Sequence, residues 1–254
     1  MQQESLNKIK SYVKTNKCNY DGFVSKYKND DLSIDFIGLA QYKPGTLDGC
    51  IKNLIDNNVK LYITFNNQGN FVEITKKEEK LFNNYCNMIG CKYYSLKVED
   101  YTPPEIDILK NLWIILDDFH KEKIKKPHIQ CIMHCTAGLG RTGTMIFSYI
   151  VYRKFLTDKK KYSEELFKLA ESIVDFDKKT GILNSKVNTP YMHMKHQNYY
   201  KQVLNYGIIK FAFDEIKKYS QHSFNEITGE MGESIKKMLL FENRIKNIIL
   251  AILT

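Results

Sequence analysis

The sequence predicts an α/β fold, a central and mostly parallel sheet flanked by helices, with extra helices at the termini. Three observations predict it. Strand-like and helix-like stretches alternate along the chain, the pattern of a sheet covered by helices. The stretch Val59 to Phe65 is almost continuously apolar, as a strand buried on both faces must be. Finally, a glycine-containing loop joins an apolar strand to a helix over residues 131–144. In open sheets, ligands sit at the carboxyl ends of the strands, where such loops begin.

Residues 1–30 are rich in Lys and Asn, with Leu6, Ile9, Tyr12 and Val13 at helical spacing. They predict a docked N-terminal helix. Ser33 to Ala40 reads as a strand carrying Ile34, Phe36, Ile37 and Leu39, followed by a turn around Pro44. A helix over Leu47 to Asn57 then leads into the strand from Val59. Thr75-Lys76-Lys77-Glu78 is a capping box, opening a helix with Leu81, Phe82, Tyr85 and Met88 on one face. Lys92 to Val98 is a further strand. Thr102-x-x-Glu105 forms a second capping box with Pro103 at the first helical position, where a missing N–H costs nothing. That helix runs through Ile106, Leu109, Leu116 and Phe119, and its Trp113 is assigned to the core.

The basic run Lys121 to Lys126 precedes the strand that delivers Cys135, so it lies at the far end from the loop. It reads as a solvated turn in preference to a nucleic-acid patch. After the loop comes a helix apolar on several sides, with Met145, Ile146, Phe147 and Ile150. Ser163 is expected to cap the next helix, which carries Leu166, Leu169, Ala170 and Ile173. Lys178 to Thr189 is a loop, 190–205 is helical in pattern, and 208–254 holds one or two helices. The organisation expected is an N-terminal helical extension (1–31), a main domain (32–205) and a C-terminal helical extension packed on it (206–254). The last would recruit a partner protein or complete the core.

Composition narrows the function classes. The 254 residues are 43% hydrophobic, enough for a sizeable core. A net charge of +9 favours anionic partners: phosphorylated proteins, nucleic acid or an acidic membrane surface. Among 38 basic residues the only arginines are Arg141, Arg153 and Arg244, so one of three sits in the loop. Cys18, Cys50, Cys86, Cys91, Cys131 and Cys135 include no CxxC pair and no metal-like Cys/His cluster. They read as reduced thiols of a cytoplasmic protein, with the nucleus or a host cell also open. Cys131 lies roughly 13 Å from Cys135 at strand rise, too far for a local resolving thiol. No apolar run reaches the roughly 18–20 residues of a membrane span, and neither a signal peptide nor a C-terminal prenylation Cys is evident. Neither a metal nor a cofactor is expected.

The loop itself runs His134-Cys135-Thr136-Ala137-Gly138-Leu139-Gly140-Arg141-Thr142. Such a turn points successive backbone N–H groups of Thr136, Ala137, Gly138, Leu139, Gly140 and Arg141 inward, and the following helix adds its own amides. Gly138 and Gly140 allow the backbone to approach an anion closely. Arg141 supplies a planar fork that grips two phosphate oxygens at once. Helix N-termini and cations favour the thiolate, the attacking form of cysteine. Cys135 is therefore read as a nucleophile that takes a phosphoryl group, forms a phosphocysteine and is released by water. On this reading it is an exposed thiolate, open to peroxide. Thr142 is placed to donate its hydroxyl to the sulfur.

These residues resemble the HCxxGxxR(S/T) signature of the cysteine-dependent protein phosphatases. The fuller HCTAGLGRTGT is most similar to the dual-specificity branch, in particular its mitotic-exit and regenerating-liver members. The resemblance implies the protein tyrosine/dual-specificity phosphatase fold over residues 32–205 and a phosphorylated protein substrate.

An attacking thiolate needs a partner that protonates the leaving oxygen. Asp100, on a loop just before a helix, is the best candidate, with Glu99 as the fallback. The Asp-aromatic-x-Pro-Pro pattern over 100–104 is similar to the family's acid loop. By the same resemblance, Gln197 would hold the hydrolytic water, against the alternative of an ordinary exposed helix residue. His134 would order hydrogen bonds behind the loop. Uncharged Thr136, Ala137 and Leu139 weigh against highly phosphorylated inositols. Phosphoinositide phosphatase and RNA 5′-triphosphatase activities, which share fold and motif, remain alternatives, as does a silent phospho-binding module.

Overall fold

A computed structural model describes residues 25–26, 37–41, 54–55, 58–66, 76–135, 140–180, 198–199, 201–219 and 235–254. Strands β1 (Ser25–Lys26), β2 (Ile37–Gln41), β3 (Val59–Asn66), β4 (Lys92–Lys97) and β5 (Gln130–Cys135) make one sheet in the order β1-β2-β5-β3-β4. Only β1 is antiparallel to its neighbour among these described strands; β2, β5, β3 and β4 run parallel. The α/β class expected from the alternation is thus observed.

The burial of each strand follows its place in the sheet. β5 pairs on both sides, Met133 lying between Leu39 and Ile63, and Cys131 to Cys135 are all buried. Leu61 to Phe65 on β3 are equally buried, as the continuous apolar run required. β4 is an edge strand, and most of its side chains keep contact with solvent. Each fully buried side chain such as Ile63 or Ile132 stabilises the fold by about 1.5–3 kcal/mol.

Helix α1 (Lys76–Met88) packs Cys86 with Leu54, Val59, Tyr62, Cys91 and Ile132 into one apolar cluster. It ends in a Schellman motif. Gly90 adopts φ +67°, Cys91 N donates to Cys86 O at 2.8 Å, and Gly90 N donates to Asn87 O at 3.1 Å. The turn drops the chain directly into β4. Asn58 is also left-handed, at φ 50°. Its side chain donates to His128 O at 3.2 Å and its carbonyl accepts from Gln130 N at 3.2 Å, which ties the starts of β3 and β5 together.

Helices α2 (Ile106–Lys125), α3 (Gly140–Thr157), α4 (Lys159–Thr180), α5 (Gly207–Tyr219) and α6 (Ile235–Leu253) complete the described elements. Two compact units divide the chain: Met1–Asp100 with Ile114–Thr142, and Tyr101–Trp113 with Gly143–Thr254. Residues 206–254, expected as an extension packed on the main domain, fall within the second of these units. Within it, Phe213 of α5 lies 4.6 Å from Phe147 of α3 and 5.5 Å from Phe241 of α6, between ring centroids. Trp113 is core, as expected: it stacks on Tyr152 at 4.6 Å and donates to Ser148 Oγ at 3.2 Å.

Several expectations are corrected. α2 starts at Ile106, and its first ladder bond runs from Leu109 N to Glu105 O at 3.1 Å. The helix thus opens three residues later than a cap at Thr102 predicts, and Pro103 precedes it. α4 starts at Lys159, where Asp158 caps it by accepting from Lys161 N at 3.1 Å. Ser163 lies inside the helix, which also continues to Thr180, past the expected loop start. The run Lys121 to Lys126 is helical up to Lys125, not a turn; Lys121 pairs with Asp118 and Lys123 donates to Ile129 O. Ser25–Lys26 form a strand within the segment read as helical. The apolar positions at Leu6 to Val13, the Pro44 turn and Thr75 of the first capping box lie outside the described residues.

Candidate active site

Parallel pairing brings the predicted residues to one edge of the sheet. Cys135 is the last residue of β5 and pairs with Gln41, the last of β2. His134 pairs with Thr64, so Phe65 follows at the level of Cys135. Asp100 comes three residues after the end of β4. All of these are carboxyl ends, the edge at which α/β sheets hold ligands.

Arg141, second residue of α3, is 2% exposed. A buried guanidinium must find acceptors. Its Nη1 donates to Phe65 O at 3.0 Å, and its Nε lies 3.4 Å from Asp100 Oδ1. The Asp100 side chain keeps 42% of its surface in water. The structure thus brings Asp100 and Arg141 together, although 41 residues of sequence separate them. The Phe65 carbonyl is a site component that sequence reasoning missed; a main-chain acceptor has no side-chain signature, and only the end of an apolar strand pointed to it.

His134 is buried, its ring tilted against Tyr62 at 5.0 Å. Its Nδ1 lies 3.1 Å from Cys135 O; a carbonyl only accepts, so Nδ1 carries the proton in that bond. Thr142 is fully buried, and its hydroxyl has no hydrogen-bond partner among the described residues. Gly140 opens α3. Thr136, Ala137, Gly138, Leu139 and Gln197 lie outside the described residues.

Cys135 is only 4% exposed, which corrects the expectation of an exposed thiolate. It closes a strand whose Cys131 to Cys135 are all buried. Four residues earlier, Cys131 is 0% exposed and its thiol is pushed well up by burial and by Cys91 nearby. It stays protonated and apolar, as core packing required. Cys86, Cys91, Cys131 and Cys135 carry no disulfide. Among the described residues no helix is long and apolar enough to cross a membrane.

With this geometry established, the chain can be set beside known proteins that it is similar to. Residues 37–154 match the family described as "Polymorphic toxin system, DSP-PTPase phosphatase". A relative in Dictyostelium discoideum, named phosphatidylinositol 3,4,5-trisphosphate 3-phosphatase cnrN, is 23% identical over 94% of this chain and 36% of its own length. A Schizosaccharomyces pombe relative, named a tyrosine-protein phosphatase CDC14 homolog, is 27% identical over 41% of this chain and 16% of its own length. The chain thus spans about a third or less of these relatives. Among solved structures, a PTP-like phytase from Bdellovibrio bacteriovorus matches with a TM-score of 0.44 and 12% identity, covering 90% of this chain and 83% of that one.

Proposed function

We propose, from the premise that residues 37–154 belong to the cysteine-dependent dual-specificity phosphatase family, that the chain hydrolyses phosphomonoesters of phosphoprotein. The phosphoresidue is phosphotyrosine, phosphoserine or phosphothreonine. One observation carries the reading: a buried guanidinium, tethered to Phe65 O and facing Asp100, at the sheet edge where β5 delivers Cys135.

In the first step the Cys135 sulfur attacks phosphorus, and the bond to the ester oxygen breaks as Asp100 gives that oxygen its proton. In the second, water attacks the phosphocysteine, Asp100 takes its proton, and the sulfur leaves as thiolate. Arg141 and the amides of Thr136 to Gly140 hold the phosphoryl oxygens while charge builds on them. Thr142 donates to the leaving sulfur; its buried hydroxyl without a described partner fits a donor kept for that atom. His134 orders the strand end, and Gln197 holds the water. The substrate is the phosphorylated protein, and no cofactor enters the cycle.

A second reading is phosphoinositide hydrolysis, favoured by the name of the Dictyostelium relative that aligns with 94% of this chain. The uncharged loop residues Thr136, Ala137 and Leu139 weigh against it. The test is turnover of p-nitrophenyl phosphate by the full chain, followed by phosphopeptides, phosphoinositides and 5′-triphosphate RNA. Cysteine-dependent hydrolysis with phosphopeptides preferred is expected, and Cys135→Ser should abolish turnover while still binding phosphate. Full activity of that variant, or phosphate binding without any turnover by the wild type, overturns the covalent mechanism.

A further inference from the structure

We propose that Tyr62 on β3 is a positioning residue for the nucleophile: its ring fixes the imidazole of His134, and the imidazole fixes the carbonyl of Cys135. The proposal rests on the role of Cys135 given above. Tyr62, His134 and Cys135 all lie within one compact unit. The Tyr62 ring meets the His134 ring at 5.0 Å, tilted by 44°. His134 Nδ1 lies 3.1 Å from Cys135 O, so the imidazole holds the main chain of the very residue that carries the sulfur. A peptide unit is planar, and a held carbonyl therefore also fixes the direction in which the chain leaves Cys135.

The sheet register explains why Tyr62 reaches His134. Parallel pairing sets Thr64 opposite His134, and Tyr62 opposite both Ile132 and Tyr93. Residues two apart on a strand share a face, so Tyr62 lies diagonally beside His134. Tyr62 is itself held from the other side. Tyr93 stacks on it at 6.0 Å and 22°, and the Tyr93 hydroxyl lies 3.1 Å from Thr64 Oγ1. Three rings thus cross the sheet from the edge strand β4 to the central strand β5. The last torsion of a histidine is broad and roughly two-fold, so packing against the ring face selects its orientation. With the imidazole turned over, Nδ1 no longer faces Cys135 O. Loss of the Tyr62 ring frees that torsion while His134, Cys135 and Arg141 all stay in the chain.

The experiment uses the full chain, isotopically labelled at histidine nitrogen, at about pH 8. Long-range proton–nitrogen correlation reads the tautomer of His134, whose signals are identified by their loss in His134→Ala. The wild type should carry the proton on Nδ1, and in Tyr62→Leu that single form should give way to a mixture. The same variant should lose about tenfold in kcat on p-nitrophenyl phosphate, short of the roughly hundredfold that a misplacement of about 1 Å costs. Tyr62→Phe keeps the ring and should keep both tautomer and kcat. Leu54→Ala, at another member of the apolar cluster around Tyr62, should lower stability and leave kcat as it is. In a His134→Ala background, Tyr62→Leu should cost nothing further. If Tyr62→Leu does not fold, Tyr62→Met, whose flexible side chain fills irregular space, carries the same comparison. A wild-type His134 protonated on Nε2, an unchanged kcat without the ring, or losses that add fully to His134→Ala overturn the positioning role and leave the phosphatase reading intact. Wild-type hydrolysis that survives Cys135→Ser overturns both.

Discussion

Asp100 gives the sharpest test at the scale of single residues. Its carboxyl lies 3.4 Å from the Arg141 guanidinium, and it retains the solvent contact that the proposed acid needs to meet a leaving group. Asp100→Asn should reduce turnover of phenyl phosphate by roughly a hundredfold or more, and that of p-nitrophenyl phosphate far less, because only the poor leaving group needs the proton. Steady-state kinetics on the two esters decides it, and equal losses remove Asp100 from the role. The motif made Cys135, Arg141 and Thr142 legible, since their spacing alone suggests an anion loop. Asp100 was proposed from its position before a helix and from the Asp-aromatic-x-Pro-Pro pattern that follows it. The carbonyl of Phe65 was not legible, because nothing in a side chain marks which backbone oxygen a distant arginine will find. The burial of Cys135 was missed for a related reason: sequence locates the end of a strand but not how tightly its last side chain is enclosed.

Elements were read well where periodicity is strong and poorly where caps compete. Thr102 and Ser163 both offered N-cap chemistry, yet Glu105 and Asp158 start the ladders. Pro103 and Pro104 hold the chain outside the α region before α2, and Asp158 outcompetes a serine that lies a full turn into α4. A long-range cap was invisible from sequence altogether. Glu165 on α4 accepts from Ile208 N at 2.6 Å, which satisfies a first-turn amide of α5 from 43 residues away. The acid also complements the positive end of that helix. Glu165→Ala should therefore destabilise the fold by about 0.5–2 kcal/mol, and Glu165→Gln by less, since an acceptor remains. Urea unfolding followed by circular dichroism measures both; an unchanged midpoint in Glu165→Ala would show that the contact contributes nothing.

For the molecule as a whole, the buried acids set how stability responds to alkaline solution. Burial pushes the Tyr93 hydroxyl up to about 12, from 10.0, and pushes the Cys131 thiol well above its ordinary value. At neutral pH both groups keep their protons folded and unfolded, and neither makes stability pH-dependent. As pH rises past the ordinary values, the unfolded chain loses these protons first, so the folded state falls in relative stability. For Tyr93 the decline runs from about pH 10 to about pH 12 and totals roughly 2–3 kcal/mol. The lysines titrate over the same range, so the informative quantity is the difference between wild type and Tyr93→Phe. That variant also loses the 3.1 Å hydrogen bond to Thr64, which lowers its stability at every pH without adding a slope. Denaturation midpoints at pH 8, 9.5 and 11 should converge as the wild type weakens and Tyr93→Phe weakens less. Parallel curves would mean that the Tyr93 hydroxyl ionises in the fold as readily as in water, and that this side of the sheet is wetter than its packing against Tyr62 at 6.0 Å implies.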